Sequence, residues 1–212
     1  MMKNLRSGVC IPVLSAIALS ACTLFDSAPV RHYALTPFSA AEASSAQPST
    51  GPIFAVAPVR IPQYLSQRWI VTKTGETEIN LAENDQWAAP LADDIGSVLS
   101  ENLTAMIPSD RVVQLPVSAS VPIDYEIRVE IVSFERQPDG SIHLVARWTV
   151  FADGGRRLVR MDRSAFRMDD VANDYPSITR AMSSLIAELS RDIAATVQRL
   201  PATAGRRNAH PT

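Results

Sequence analysis

The chain has 212 residues, 20 basic against 22 acidic side chains, a formal charge of −2 and 46% hydrophobic residues. That balance excludes a basic nucleic-acid-binding body, which carries clustered lysine and arginine. The length suits one well-buried domain, and no internal repeat suggests two.

Lys3 and Arg6 open the chain, and Val9 to Ala21 form an apolar run broken only by Pro12 and small polar residues. A bilayer core of about 30 Å needs roughly 20 apolar helical residues, so this run is too short to span and reads as a cleaved export signal over residues 1–21. Leu19-Ser20-Ala21-Cys22 resembles the bacterial lipobox, in which a diacylglycerol is attached to the cysteine sulfur and cleavage leaves that cysteine first. An ordinary secretory signal with an incidental cysteine does not account for run length, small residues and cysteine position together. Cys10 leaves with the signal and Cys22 carries the acyl chains, so the expected mature chain has neither free thiol nor disulfide. Two or more acyl chains hold a protein stably at a membrane where one does not. Thr23, rather than Asp, follows the cysteine, the pattern of lipoproteins sorted to the outer membrane. Cleavage removes two cations and no acid, leaving 18 basic against 22 acidic side chains, a formal −4. That mildly acidic balance also argues against adhesion to anionic lipid by charge alone.

Residues 22–30 read as a lipidated tether. Arg31 to Leu35 alternates and suits a short strand opening a domain that runs to residue 200. The stretch PFSAAEASSAQPSTGP (37–52) has almost no large apolar side chain and reads as a flexible segment, a loop if residues 31–35 belong to the domain. Ile53 to Val59 is a strand candidate between Pro52 and Pro58. Trp69 to Thr72 and Glu78 to Leu81 are short strand candidates around Thr74-Gly75. From Pro90 the period becomes helical, with Leu91, Ile95, Val98, Leu99, Leu103 and Met106 on one stripe and Pro108 as a stop. After a strand candidate at Val112 to Leu115, Tyr125, Ile127, Val129 and Ile131 alternate with charged residues. Pro138-Asp139-Gly140 turns into a second alternating run, Ile142 to Val150, and Asp153-Gly154-Gly155 into a third, Leu158 to Phe166, an antiparallel meander. A helix from about Pro176 to Arg199 places Ile178, Met182, Leu185, Ile186, Leu189, Ile193 and Val197 on one stripe. The expected fold is a single α+β domain, mainly antiparallel sheet with two amphipathic helices on one face. Residues 201–212 read as an unstructured tail.

No nucleophile elbow, H-E-x-x-H, C-x-x-C or phosphate loop occurs. His32, His143 and His210 lack neighbouring ligands at metal-site spacing, and His143 reads as a polar-face strand residue. Asp93 and Asp94 diverge by about 100° on a helix, which makes them poor partners for acid–base work. The expectation is no enzyme, no metal and no cofactor. Arg156, Arg157, Arg160, Arg163 and Arg167 could form a headgroup-binding patch, but alternation puts Arg156 and Arg160 on one face and Arg157, Arg163 and Arg167 on the other, so a solvated edge strand that resists sheet-to-sheet aggregation is the preferred expectation.

The segment APVRIPQYLSQRWIVT (57–72) is more telling. Pro58, Arg60, Pro62, Tyr64, Arg68 and Trp69 combine aromatic rings, arginines and prolines in a stretch too irregular to be core alone, and interfaces use such residues as anchors. The competing expectation is that Tyr64 and Trp69 cap the sheet edge internally. Trp87 and Trp148 have the character of packing residues, although the Trp87 turn joins residues 58–70 in the proposed contact surface.

HYALTP (32–37), FAVAPVRIPQYLSQRWIVT (54–72), NDQWAAPLADDIGSVLSENL (84–103), DYEIRVEIVSFE (124–135) and LVARWTV (144–150) together resemble the PqiC-type auxiliary lipoproteins of ABC transport systems. The most specific parts are V-x-P-V-x-I-P-x-Y-L with its following V-T, the W-A-x-P-L run and A-R-W. The Ala/Ser/Pro insertion after Pro37 and the arginine-bearing tail depart from that pattern. The resemblance implies a periplasm-facing outer-membrane lipoprotein that cooperates with an inner-membrane MCE-domain protein and an ABC-type complex in lipid movement and envelope integrity. Contacts to that partner or between copies would fall on residues 58–70 and Trp87. A lipopolysaccharide-assembly-like lipoprotein and an envelope hydrolase remain the alternatives.

Overall fold

The computed structural model describes residues 28–38, 51–107, 111–117 and 121–200. The export signal, Cys22, most of the 37–52 segment and the 201–212 tail lie outside the described residues. In chain order the elements are β1 (Arg31–Tyr33), β2 (Phe54–Val56), β3 (Trp69–Lys73), β4 (Ile79–Trp87), α1 (Leu91–Met106), β5 (Val112–Gln114), β6 (Tyr125–Arg136), β7 (Ile142–Ala152), β8 (Arg157–Met168) and α2 (Tyr175–Val197). They form one α+β domain with an eight-stranded mixed sheet.

The meander β6–β7–β8 is the antiparallel spine. Its turns need left-handed backbone: Gly140 has φ 86°, and Asp153, Gly154 and Gly155 have φ 55°, 66° and 81°. At Gly155 the positive φ favours glycine, and a Cβ would also press on the ends of the Arg128 and Glu126 side chains, at 2.8 and 2.9 Å. On β7, Leu144, Ala146, Trp148, Val150 and Ala152 are buried opposite Phe134, Ile131, Val129, Ile127 and Tyr125 of β6, and Ile142, also buried, sits opposite Arg136. The apolar stripe of α2 covers this side, and α1 packs beside α2. Each large aliphatic side chain buried there contributes roughly 1.5–3 kcal/mol. Asp174 caps α2 by accepting from Ser177 N at 2.8 Å, with Pro176 in the first turn. Between the helices Asn102 Nδ2 donates to Ser190 Oγ at 3.1 Å, both residues fully buried.

β3 pairs with β4 antiparallel, whereas the pairings of β1 with β4, and of β2 with β5 and β6, are short and parallel. Parallel neighbours need long crossovers, and here the N-terminal segment and α1 supply them. Residues 31–38 are fastened throughout. Arg31 and the Tyr33 hydroxyl both reach the buried Asp85 carboxylate, at 2.7 and 2.9 Å. Leu35 N donates to Asp94, Thr36 N to Ser183 Oγ and Phe38 N to Asn102 Oδ1. Residues 31–33 are thus a strand of the domain.

Three expectations need correction. β4 runs on to Trp87 instead of stopping near Leu81, and Trp87 is only 5% exposed, a core residue that a partner cannot reach. On β8 a register shift opposite Val150/Phe151 reverses the alternation, so Arg157 and Arg160 face the helix side while Arg163 and Arg167 face away.

Candidate functional site

Residues 53–73 run alongside β6 as an interrupted parallel strand. β2 pairs with β6 over Tyr125–Ile127, Arg60 bridges Glu130, the chain leaves, and Thr72 rejoins opposite Arg136. Pro58 and Pro62 have no N–H to give a ladder, which breaks the strand there. Between them Arg60 still pairs, its N donating to Val129 O at 3.0 Å and its O accepting from Ile131 N at 2.8 Å. The excursion closes on a short 3-10 turn, Gln63–Leu65, with Leu65 N donating to Pro62 O.

Glu135, 1% exposed, holds this arch on the sheet face that the helices leave open. It accepts from the Tyr64 hydroxyl at 2.8 Å, from Phe134 N at 2.8 Å and from Gln137 Nε2 at 3.0 Å, with Lys73 Nζ at 3.8 Å. Burial first, then the Glu135 acceptor, pushes the Tyr64 phenol far above its ordinary range, so it stays a donor. Tyr64 therefore acts inward. Outside, Arg68 stacks on the Trp69 ring at 4.7 Å. Pro58, Arg60 and Arg68 are exposed, and Pro62, Tyr64 and Trp69 half-buried. These six lie on one excursion of the chain, and Trp87 adjoins it through its amide, which donates to Arg68 O at 2.7 Å, while the Trp87 side chain is buried.

The open face carries a second feature, of which the sequence reading singled out only Arg60 and Arg163. One row crosses four neighbouring chain segments: Arg60, Glu130, Arg147 and Arg163. Beside it Arg128 lies 2.6 Å from the Glu126 carboxylate and 4.3 Å from the centre of the Phe151 ring. Arg147 is 3.6 Å from Glu130, whereas Arg60 and Arg163 make no ion pair among the described residues. Arg60, Arg128, Arg147, Pro58, Thr149 and Phe151 line a concavity of about 470 Å³. The alternation of β6 and β7 already placed Arg128 and Arg147 on one polar face. Their meeting with Arg60 depends on the parallel pairing.

Among the described residues no cluster of three or more His, Cys, Asp or Glu could hold a metal, and no helix is long and apolar enough to cross a membrane. His143 contacts only Ser141 Oγ, at 3.0 Å, as a polar-face residue. The sheet thus has one helix-covered face and one open face that carries arginines and aromatic rings. The family model for the ABC-type transport auxiliary lipoprotein component matches residues 33–194, from β1 into the last turns of α2, and the chain belongs to that family. It is 23% identical over 148 residues to the intermembrane transport lipoprotein PqiC of Escherichia coli, covering 69% of this chain and 75% of that one, and a Shigella flexneri counterpart matches equally. A solved structure of an uncharacterised protein aligns with TM-score 0.66 and 19% identity over 80% of this chain and 99% of that one. A Xanthomonas campestris protein aligns with TM-score 0.62 and 14% identity over 79% and 95%. Both share the fold.

Proposed function

We propose that the protein is a non-catalytic lipoprotein, fastened through Cys22 to the periplasmic side of the outer membrane. There it docks the end of an intermembrane lipid-transport conduit, whose other components are an inner-membrane MCE-domain protein and its ABC-type complex, and so supports envelope integrity. The observation that carries this reading is the family match across the whole folded domain, together with the likeness to a protein named for intermembrane transport. The lipobox-like LSAC stretch supports the anchor.

The arch supports the docking. It is rigidly held from inside by Glu135 and presents Arg68 over Trp69 outside, the residue types that anchor interfaces. A tethered domain gains effective concentration for its partner, so a modest contact suffices. Arg68→Glu with Trp69→Ala tests it: co-purification with the MCE partner is expected to fall while the melting temperature holds. Retained co-purification, or a loss matched by unfolding, rejects the arch as the docking surface.

A further inference from the structure

We propose that the helix-free face of the sheet binds the phosphate groups of anionic phospholipid at a membrane surface, through Arg60, Arg128, Arg147 and Arg163. Arg147 and Arg163 stand directly opposite each other on β7 and β8, on the same face, and both are exposed. Like charges in that position disfavour the pairing unless an anion lies between them. Arg163 and Arg60, at the two ends of the row, have no acidic partner among the described residues, and Arg147 only the loose contact to Glu130. Among the described residues the ion pairs of these four guanidinium groups thus involve only Glu126 and Glu130, although the chain as a whole is acidic. The guanidinium fork matches phosphate oxygens in paired hydrogen bonds.

The apolar surroundings select lipid over an acidic protein segment or free phosphate. Met161, 66% exposed, and Leu158, 52% exposed, are the two most exposed large hydrophobic residues described, and both lie on β8 beside this row. Phe151 lines the adjoining concavity. Cations flanked by protruding apolar side chains suit the boundary between headgroups and acyl chains. Reach is sufficient. Neighbouring strands lie about 4.8 Å apart, so β7 stands roughly 19 Å from β1 across β4, β3 and β6. The chain from residue 22 to residue 31 extends to about 30 Å. This step rests on the lipidated Cys22 proposed above.

The mature, acylated chain with Met161→Cys, labelled with an environment-sensitive dye, is reconstituted into vesicles of phosphatidylcholine alone or with added phosphatidylglycerol. The dye is expected to brighten and blue-shift only where phosphatidylglycerol is present. Added salt should reverse the change, and Arg147→Glu with Arg163→Glu should weaken it by about fivefold for each cation lost. Two controls add inorganic phosphate or a polyglutamate peptide to phosphatidylcholine vesicles. An unchanged dye, a change equal in both vesicles and insensitive to the arginine variants, or a response to phosphate or peptide without phosphatidylglycerol overturns the proposal. Failure of the unlabelled chain to float with phosphatidylcholine vesicles rejects the anchor instead, and flotation with phosphatidylglycerol vesicles, compared between wild type and the arginine variant, then tests the face by itself.

Discussion

At the level of single residues, Glu135 decides the shape of the site. A carboxylate that is 1% exposed survives in a sheet only because each oxygen has donors, and Tyr64 is the donor that comes from the arch. Tyr64→Phe keeps the ring and removes only the hydroxyl. A hydrogen bond to a charged, buried acceptor contributes about 1.5–3 kcal/mol, and the loss should appear in full as a lower urea midpoint. The same variant should increase hydrogen exchange at the Leu65 amide, which closes the turn on Pro62. A midpoint unchanged from wild type means that the arch is held by packing, with Glu135 satisfied by Phe134 N, Gln137 and Lys73 alone. The tyrosine that looks in the sequence like a partner's anchor is thus half occupied by its own domain, and Arg68 and Trp69 carry more of the outward surface.

Elements were legible in the sequence where the apolar period was unbroken. Both helices and the three meander strands stand within a few residues of their expected bounds, because Ile178 to Val197 and Ile142 to Val150 keep one period throughout. β4 was half hidden because its second part, LAENDQW, buries Ala82, Asp85 and Trp87 around a carboxylate that only a remote strand, β1, can neutralise. The short parallel pairings were illegible for the same reason: each needs a partner remote in the chain, beyond β2 and β3 for β1 and beyond α1 for β2. The bulge in β8 likewise leaves no mark in an alternating string of arginines. Asp94, in the first turn of α1, shows what such remote pairing does to charge. Burial raises its carboxyl above the ordinary value of about 3.9, while the hydrogen bond from Leu35 N works in the opposite direction. A raised folded-state value means that the associated stability is complete below the unfolded value and is lost as pH rises through the folded one. Asp94→Asn retains an acceptor for Leu35 N and cannot ionise. Relative to wild type, the variant should therefore gain stability at neutral pH compared with acidic pH, in urea titrations at both. An identical difference at the two pH values would show that Asp94 is not the group responsible.

For the molecule as a whole, the important boundary is where the fold begins, because it sets how far the open face stands from the proposed anchor. Arg31 to Phe38 cross from the outer edge of the sheet to the helix layer and make a contact at almost every step. Removing them would leave Asp85, 4% exposed, without Arg31 and Tyr33, strip a donor from the fully buried Asn102, and uncover the pocket that Leu35 fills at 4% exposure. An unpaired buried charge alone costs about 3–5 kcal/mol, and a domain of this kind has only about 5–15 kcal/mol in reserve. A mature chain lacking residues 31–38 should therefore lose its cooperative thermal transition by circular dichroism, or melt far below wild type. A chain cut only through residue 30 should melt as wild type does, because the last described residues before β1 are exposed. If both truncations melt alike and cooperatively, β1 is an accessory strand, the proposed tether effectively lengthens to the start of β2, and the open face is no longer held within roughly 30 Å of the proposed anchor at Cys22.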